Sequence, residues 1–401
     1  MRKSVLLCIA MKICHIITRM IVGGAQENTL SSVSGLVKKG HDVLLVSGPS
    51  HGPEGSLESA SRQSGAKFII VSPLIRAIHP LLDAAAFCRL VAILRKEQVD
   101  IVHTHSAKAG VLGRLAARVA SPSAIVVHTV HGLPFIPGQS RLARNVFLLA
   151  EKIAFWATDQ LLSVGKVAAE NAAEAGIGRI EDYIIVHSGF PVEPYVNNPN
   201  RQKIRRELGI TDSEMVVGMI ARFFPLKGQE FLLRAFAVAA TKNPAMKLLL
   251  IGDGIQRAFC EKLAISLGIQ DKTIFTGLLH PDLIPNIVSG LDVGAHTSLR
   301  EGLPRAIAQI MAGGKPVVAF DADGAREVIT EGKTGFLVTP TDEKTLSLRL
   351  LWFASHPEER MAMGALAQER VLRLFSLQTM VDSLETIYFS LLARNGYVAH
   401  S

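Results

Sequence analysis

The chain has little cysteine, few aromatics and no long apolar run. Its four cysteines, Cys8, Cys14, Cys88 and Cys260, share no metal-ligand spacing and read as reduced core residues of a cytoplasmic protein. Aromatic residues make up 6%, which argues against a lectin-like all-β surface. No run reaches the ~18 apolar residues of a spanning helix. VLLCIAM after Arg2-Lys3 imitates a short signal segment, but Lys12 interrupts it. Residues 1–10 therefore read as an extension before a first strand at Lys12–Thr18. A complete G-x-G-x-x-G is missing, as is any basic motif interleaved with aromatics, so a dinucleotide and a nucleic acid are both poorly supported.

Hydrophobic residues make up 48% and charged residues 19% of 401, a globular composition long enough for two domains of ~200 residues. Residues 1–190 hold 20 Lys and Arg against 13 Asp and Glu, which is +7 of the net +8. A basic first half suits an anionic partner such as a phosphate or a membrane surface.

Strand and helix patterns alternate through ICHIIT, HDVLLVSG, KFIIVSPL, DIVHTH, AIVVHTVHG, QLLSVG and YIIVHSG. PVEPYVNNPNRQ interrupts the pattern and reads as a linker. The alternation restarts with MVVGMIAR, KLLLIGDG, TIFTG, LDVGAH, PVVAF and GFLV, and a helical tail follows. The expected fold class is α/β, two doubly wound parallel-sheet domains facing across a cleft. The expected boundaries are 1–190, a linker 191–200, a second domain 201–375, and a C-terminal helix 376–401 that can cross back to the first domain.

Candidate site residues cluster at predicted strand ends. Gly23-Gly24 precede a helix at Gln26–Lys38, where backbone N–H groups can approach a phosphate. Arg222 and Lys227 flank FFPL at a strand end and suit a diphosphate. His103, His105, His128 and His131 sit at the ends of two strands without acidic partners, so a polar ligand fits them better than a metal. Lys108 follows on the same side. Asp321-Ala322-Asp323 reads as a loop and not as a metal-holding pair. In SLREGLPRAIAQIMAGGKPVVAF, Glu301 stands at an expected helix start, and Gln309 shares its helical face. Arg141, Arg144 and Lys152 share a helix with Val146, Phe147, Leu148, Phe155 and Trp156. That helix reads as core-packed with a solvated basic face, and as a membrane-docking element on the functional reading.

Taken together, SLREGLPRAIAQIMAGGKPVVAF, GAREVITEGKTGFLV, ARFFPLKGQEFLLRAF, LLLIGDG and TIFTG resemble the family 4 retaining glycosyltransferases of the GT-B fold, from about Lys12 to the C-terminal helix. DIVHTHSAKAGVLGRLAA and VVHTVHGLPF are similar to the subgroup that builds bacterial surface polysaccharides, often on polyprenyl-diphosphate-linked acceptors. The resemblance implies transfer of a sugar from a nucleotide donor, with UDP the expected nucleotide, anomeric configuration retained and no metal or other cofactor. Gly23 and Gly24 would meet the donor phosphate. His131 would lie near the transferred sugar, and Arg222 and Lys227 would hold the diphosphate. Glu301, with the backbone of Gly302, Leu303 and Pro304, would bind the sugar, and Gly277 would border the base. His103, His105 and Lys108 fall on the acceptor side. The family usually has a second glutamate where Gln309 stands. An amide there keeps an acceptor for a ribose hydroxyl but loses the charge-assisted part, about 1 kcal/mol. The alternatives are a non-catalytic nucleotide-sugar-binding protein and a UDP-sugar 2-epimerase of the same fold, whose proton abstraction would need acids that EGLPRAIAQ does not supply.

Overall fold

The computed structural model describes residues 10–50, 55–132 and 141–395, with the backbone alone for 141–143. The expected N-terminal extension as far as residue 9, and Cys8 with it, lie outside the described residues. So do the Arg141 side chain and the end of the VVHTVHGLPF motif.

The chain forms two compact units, Met1–Phe190 with Leu377–Ser401, and Pro191–Ser376. In unit 1 the strands are β1 (Lys12–Arg19), β2 (Asp42–Gly48), β3 (Lys67–Ile70), β4 (Ile101–His105), β5 (Ile125–Val130), β6 (Gln160–Ser163) and β7 (Tyr183–Ile185). They alternate with α1 (Gly24–Lys38), α2 (Glu58–Gln63), α3 (Pro80–Glu97), α4 (Ala107–Ala120), α5 (Arg141–Phe155) and α6 (Lys166–Glu174). All strand pairs are parallel, in the order β3-β2-β1-β4-β5-β6-β7. Every residue of β4 and β5 is buried. Their β-branched composition suits strands covered on both faces.

Unit 2 contains α7 (Arg201–Glu207), β8 (Met215–Ile220), α8 (Gln229–Lys242), β9 (Met246–Ile251), α9 (Arg257–Ser266) and β10 (Thr273–Gly277). It continues with α10 (Ile284–Gly290), β11 (Val293–His296), α11 (Arg305–Ala312), β12 (Val317–Phe320), α12 (Ala325–Val328), β13 (Gly335–Val338), α13 (Glu343–Ser355) and α14 (Pro357–Phe375). The parallel order is β10-β9-β8-β11-β12-β13. In each sheet the strand order reverses once, between β1 and β4 and between β8 and β11. Ligands of open α/β sheets bind beyond the carboxyl ends of strands at such a point.

The last helix, α15 (Leu377–Arg394), belongs to unit 1. Val381, Leu384 and Tyr388 join the core that holds Ile13, Val33 and Leu36. A Cβ on Gly35 would stand 2.3 Å from a Val381 methyl, so α1 and α15 meet only because residue 35 has no side chain. Lys39 and His41 fix the same contact through Glu385, at 2.6 and 2.9 Å.

Three expectations need correction. The segment expected as a linker is part of unit 2, where Tyr195 of the 3-10 turn Glu193–Tyr195 is buried. Cys14 and Cys260 are buried, but Cys88 is exposed. The face of α3 that packs inward carries Ala86, Leu90, Val91 and Leu94, and Cys88 falls off that stripe. The expected core packing of the helix fails at Val146 of α5 and at Trp156 just past its end, both exposed.

Candidate functional site

Unit 2 brings Lys227, Glu301 and His296 together at the β8–β11 reversal. After β8 the chain turns sharply before entering α8. Leu226 has φ 71° and Gly228 φ 73°, and a Cβ on Gly228 would lie 2.0 Å from the Thr297 carbonyl oxygen. Only glycine lets the two loops approach this closely. The Leu299 N–H donates to the Leu226 carbonyl at 2.8 Å, and the Thr297 hydroxyl donates to the Gly228 carbonyl at 2.8 Å. These bonds set Lys227 beside Glu301, and Nζ donates to Oε1.

His296, the last residue of β11, stands with its Nε2 3.9 Å from the same carboxylate oxygen. It is buried, and neither ring nitrogen has a hydrogen-bond partner. Burial, then the Lys227 charge, pushes its pKa down to about 3. A neutral imidazole with both nitrogens unanswered beside an ion pair is ready to bond a polar ligand.

Glu301 is not at a helix start. Pro304 caps α11 and the helix begins at Arg305, because proline disfavours helical geometry in the residue before it. Glu301 sits in the loop ahead, so its expected helical-face pairing with Gln309 does not form. Pro304 has no backbone N–H, which leaves Gly302 and Leu303 as the amides of the motif. The loop is held from the far side: Asp323 accepts from the Glu301 N–H at 2.6 Å, and the Gly324 N–H donates to the Gly302 carbonyl at 3.1 Å. A Cβ on Gly302 would meet nothing within 4 Å. Asp323 therefore acts by shaping the Glu301 loop, and Asp321 is paired with Arg326. The side chain of Gln309 bonds the buried Tyr195 phenol, whose pKa burial raises to about 12.

Arg222 is exposed, with its guanidinium 5.2 Å from the centre of the Phe224 ring. Its backbone is fixed by the buried Gln229, whose amide donates to the Arg222 carbonyl at 2.9 Å. Gly277 closes β10 at φ 72°, next to the Arg257–Asp253 pair at 3.0 Å.

Unit 1 brings the histidines to the β1–β4 reversal. β1 and β4 pair with His15 opposite His103. His103 is buried and fully engaged: Nδ1 meets the Tyr388 hydroxyl at 2.5 Å and Nε2 the Thr129 hydroxyl at 2.7 Å. His105 is buried between His15 Nδ1, at 2.9 Å from its Nε2, and His131 Nε2, at 3.0 Å from its Nδ1. Neither has a nitrogen left for an acceptor, which corrects their expected role. Lys108 is likewise held, by Asp83 at 2.5 Å and by the Ala77 carbonyl. His128 bonds the Thr104 hydroxyl at 2.9 Å.

Of the four histidines singled out, His128 and His131 each engage one ring nitrogen, His128 through Nδ1 and His131 through Nε2. Both line a cavity of about 320 Å³ with Ser106, Thr129, Phe147 and Glu151. Burial lowers the pKa of His131 to about 4 and that of His15 to about 3. Burial also holds His103, His105 and His128 well below the ordinary value of 6.5. His15, His103 and His105 place one nitrogen each within 4.8 Å of one another. Five of their six ring nitrogens already bond protein groups, so a metal would have to displace these bonds. Gly23 is extended (φ 174°), and a Cβ on Gly24 would meet nothing within 4 Å. A Cβ on Gly23 would stand 2.8 Å from Gln26 Oε1, so the Gln26 side chain lies against the start of α1.

Composition and spacing missed His15, His296, Asp323, Tyr195 and Tyr388. Asp323 was visible as the end of D-x-D, but its target lies 22 residues earlier.

Two parallel-sheet units, each with polar residues at its strand reversal, define a GT-B architecture. Residues 23–189 match the glycosyl transferase 4-like domain, and residues 200–370 match glycosyl transferases group 1. The chain belongs to the family 4 glycosyltransferases. It is 24% identical over 384 residues to the UDP-Gal:alpha-D-GlcNAc-diphosphoundecaprenol alpha-1,3-galactosyltransferase of Escherichia coli, covering 95% of this chain and 97% of the relative. The capsular polysaccharide biosynthesis glycosyltransferase CapM of Staphylococcus aureus is 23% identical over 94% of this chain and 96% of its own. Anabaena HepE, solved in complex with UDP, superposes with a TM-score of 0.81 at 23% identity, over 95% of this chain and all of that one. Among the described residues, no helix is long and apolar enough to cross a membrane.

Proposed function

We propose that this glycosyltransferase moves a sugar from a UDP-sugar to a polyprenyl-diphosphate-linked glycan in cell-surface polysaccharide synthesis, retaining the anomeric configuration without a metal. The observation that carries this reading is the grouping of Lys227, Glu301 and the unanswered His296 at the unit 2 strand reversal. Lys227, aided by Arg222, neutralises the diphosphate, and Glu301 accepts from sugar hydroxyls. The bond from the anomeric carbon to the diphosphate oxygen breaks, and a bond to the acceptor oxygen forms on the same face. The acceptor proton leaves with the diphosphate. The donor named for the Escherichia coli relative and the UDP held by the Anabaena neighbour support a uridine nucleotide. The relative's lipid-diphosphate acceptor supports the acceptor class.

α5 supports work at a membrane surface, on the cytoplasmic side. Val146, Leu149 and Ile153 are 51%, 61% and 51% exposed and share one face of α5 by their spacing, and Trp156, just past its end, is 86% exposed. Exposed Arg144 and Lys152 lie on the same helix. An apolar stripe with basic neighbours suits the interface of an anionic bilayer.

The test is turnover of a UDP-sugar panel on a polyprenyl-diphosphate-linked sugar. Product with a retained anomeric centre, formed equally in EDTA, is expected. UDP binding without turnover on any acceptor would leave a nucleotide-sugar-binding protein instead, and activity lost in EDTA and restored by Mg²⁺ would overturn the metal-free step.

A further inference from the structure

His15, His105 and His131 form a line of three imidazoles from the core of unit 1 to the cavity. The two ring-to-ring bonds are 2.9 and 3.0 Å, and the buried Nε2 of His15 ends the line without a partner. A neutral imidazole carries one N–H, so each bond has one donor and one acceptor. Only two arrangements make both bonds.

In the first arrangement, His15 Nδ1–H donates to His105 Nε2, and His105 Nδ1–H donates to His131 Nε2. His131 then keeps its own proton on Nδ1, and the partnerless atom in the core is a lone pair on His15. In the second, every proton sits on Nε2, and the partnerless group is a buried His15 N–H. Orphaned buried N–H groups are rarer in folded proteins than under-satisfied acceptors. The first arrangement wins.

We propose that His15 and His105 are positioning residues that lock His131 as an Nδ1–H hydrogen-bond donor toward a ligand oxygen, and so bar it from acting as a general base. Its Nε2 is already engaged by His105, and its Nδ1 already carries a proton. The surrounding field agrees with neutral rings throughout: burial lowers all three, and the neighbouring histidines lower His105 further. The ligand class is one that offers an oxygen acceptor, such as a sugar hydroxyl. This last point rests on the proposed transfer reaction, in which the acceptor proton then has to go to the departing diphosphate. The tautomer itself does not rest on it.

The test reads the tautomer directly, by long-range proton–nitrogen correlation spectra of the full chain with ¹⁵N-labelled histidine at neutral pH. Protons on Nδ1 of His15, His105 and His131 are expected. A proton on His131 Nε2, or zinc bound to His15 and His105, would overturn the proposal. In His105→Leu, His131 loses its donor, and its proton is expected to move to Nε2. In His105→Asn, whose amide N–H can stand where Nδ1–H stood, it is expected to stay on Nδ1. An unchanged His131 tautomer in a folded His105→Leu protein would remove the positioning role. If the chain turns over a sugar donor, kcat is expected to fall at least tenfold in His105→Leu with the donor KM little changed, and to recover in His105→Asn. Absence of turnover would count against the proposed reaction, while the spectra would still decide the lock.

Discussion

At the scale of single residues, Lys227 and Glu301 raise a question of competition. Each is the other's partner in the unliganded chain, so a diphosphate gains only the difference between its bond to Lys227 and the one it replaces. Hydrogen bonds to charged groups contribute about 1.5–3 kcal/mol. Lys227→Ala is therefore expected to weaken UDP binding by about tenfold, while Glu301→Ala, which frees Lys227, weakens UDP little but cuts turnover of the sugar donor. Calorimetric titration with UDP beside steady-state kinetics separates the two. Equal losses of UDP affinity in both variants would contradict separate diphosphate and sugar roles. Gln309 has a similar logic. The Tyr195 phenol stays protonated, since burial raises its pKa, and a charged acceptor strengthens a bond that a neutral amide already makes. Gln309→Glu is expected to tighten UDP binding several-fold, and Tyr195→Phe to erase part of that gain. Additive effects in that double-mutant cycle would show that the two side chains are not coupled.

At the scale of elements, two loops and one helix pair govern the sites. The Glu301 loop has no helix to hold it, and Asp323 takes that part from across the β12–α12 turn. Asp323→Ala removes the carboxylate that accepts from the Glu301 N–H and is expected to raise the sugar-donor KM with little change in melting temperature. A large fall in melting temperature with unchanged KM would mean that Asp323 serves the fold and not the loop. On unit 1, Arg114 of α4 donates to Glu151 of α5 at 2.5 Å, with both side chains buried. Arg114 also bonds the Gly110 carbonyl at 2.8 Å. Breaking one side of a buried pair costs about 3–5 kcal/mol. Glu151→Ala is thus expected to lower the urea midpoint of unfolding sharply, and a midpoint unchanged from wild type would contradict the pairing. The same helix carries the exposed apolar stripe. Leu149→Ser with Trp156→Ser is expected to reduce co-sedimentation with anionic vesicles, and equal pelleting with or without anionic lipid would count against docking.

At the scale of the whole molecule, the buried histidines set a pH limit. Unfolded histidines titrate near 6.5. In the folded chain His15 and His296 are lowered to about 3, His131 to about 4, and His103, His105 and His128 well below their ordinary value. Below 6.5 the unfolded chain therefore binds more protons than the folded one. Stability is fully present above 6.5 and is lost as pH falls toward the folded values, at about 1.4 kcal/mol per pH unit for each such group. Urea unfolding between pH 7.5 and 5 is expected to show a decline steeper than one proton per unit. A flat profile would mean that these rings are solvated in the folded state.

The sequence by itself determined the α/β class, the division into two sheet-bearing halves, and the choice of Lys227 and Glu301 as candidate site residues, while their contact across 74 residues came from the fold. Local periodicity and β-branched runs report burial, and that is enough for strands covered on both faces. Tertiary structure alone decided the rest. The reversal of strand order sets β1 beside β4, which joins His15 to His105 across 90 residues, and no local pattern encodes which strands become neighbours. It also decided that Pro304 delays α11 and separates Glu301 from the helix of Gln309. It decided that Tyr195 answers Gln309, and that the apolar stripe of α5 faces outward. In each case the physical cause is a partner distant in sequence, or a steric limit expressed only once the neighbouring loop is in place.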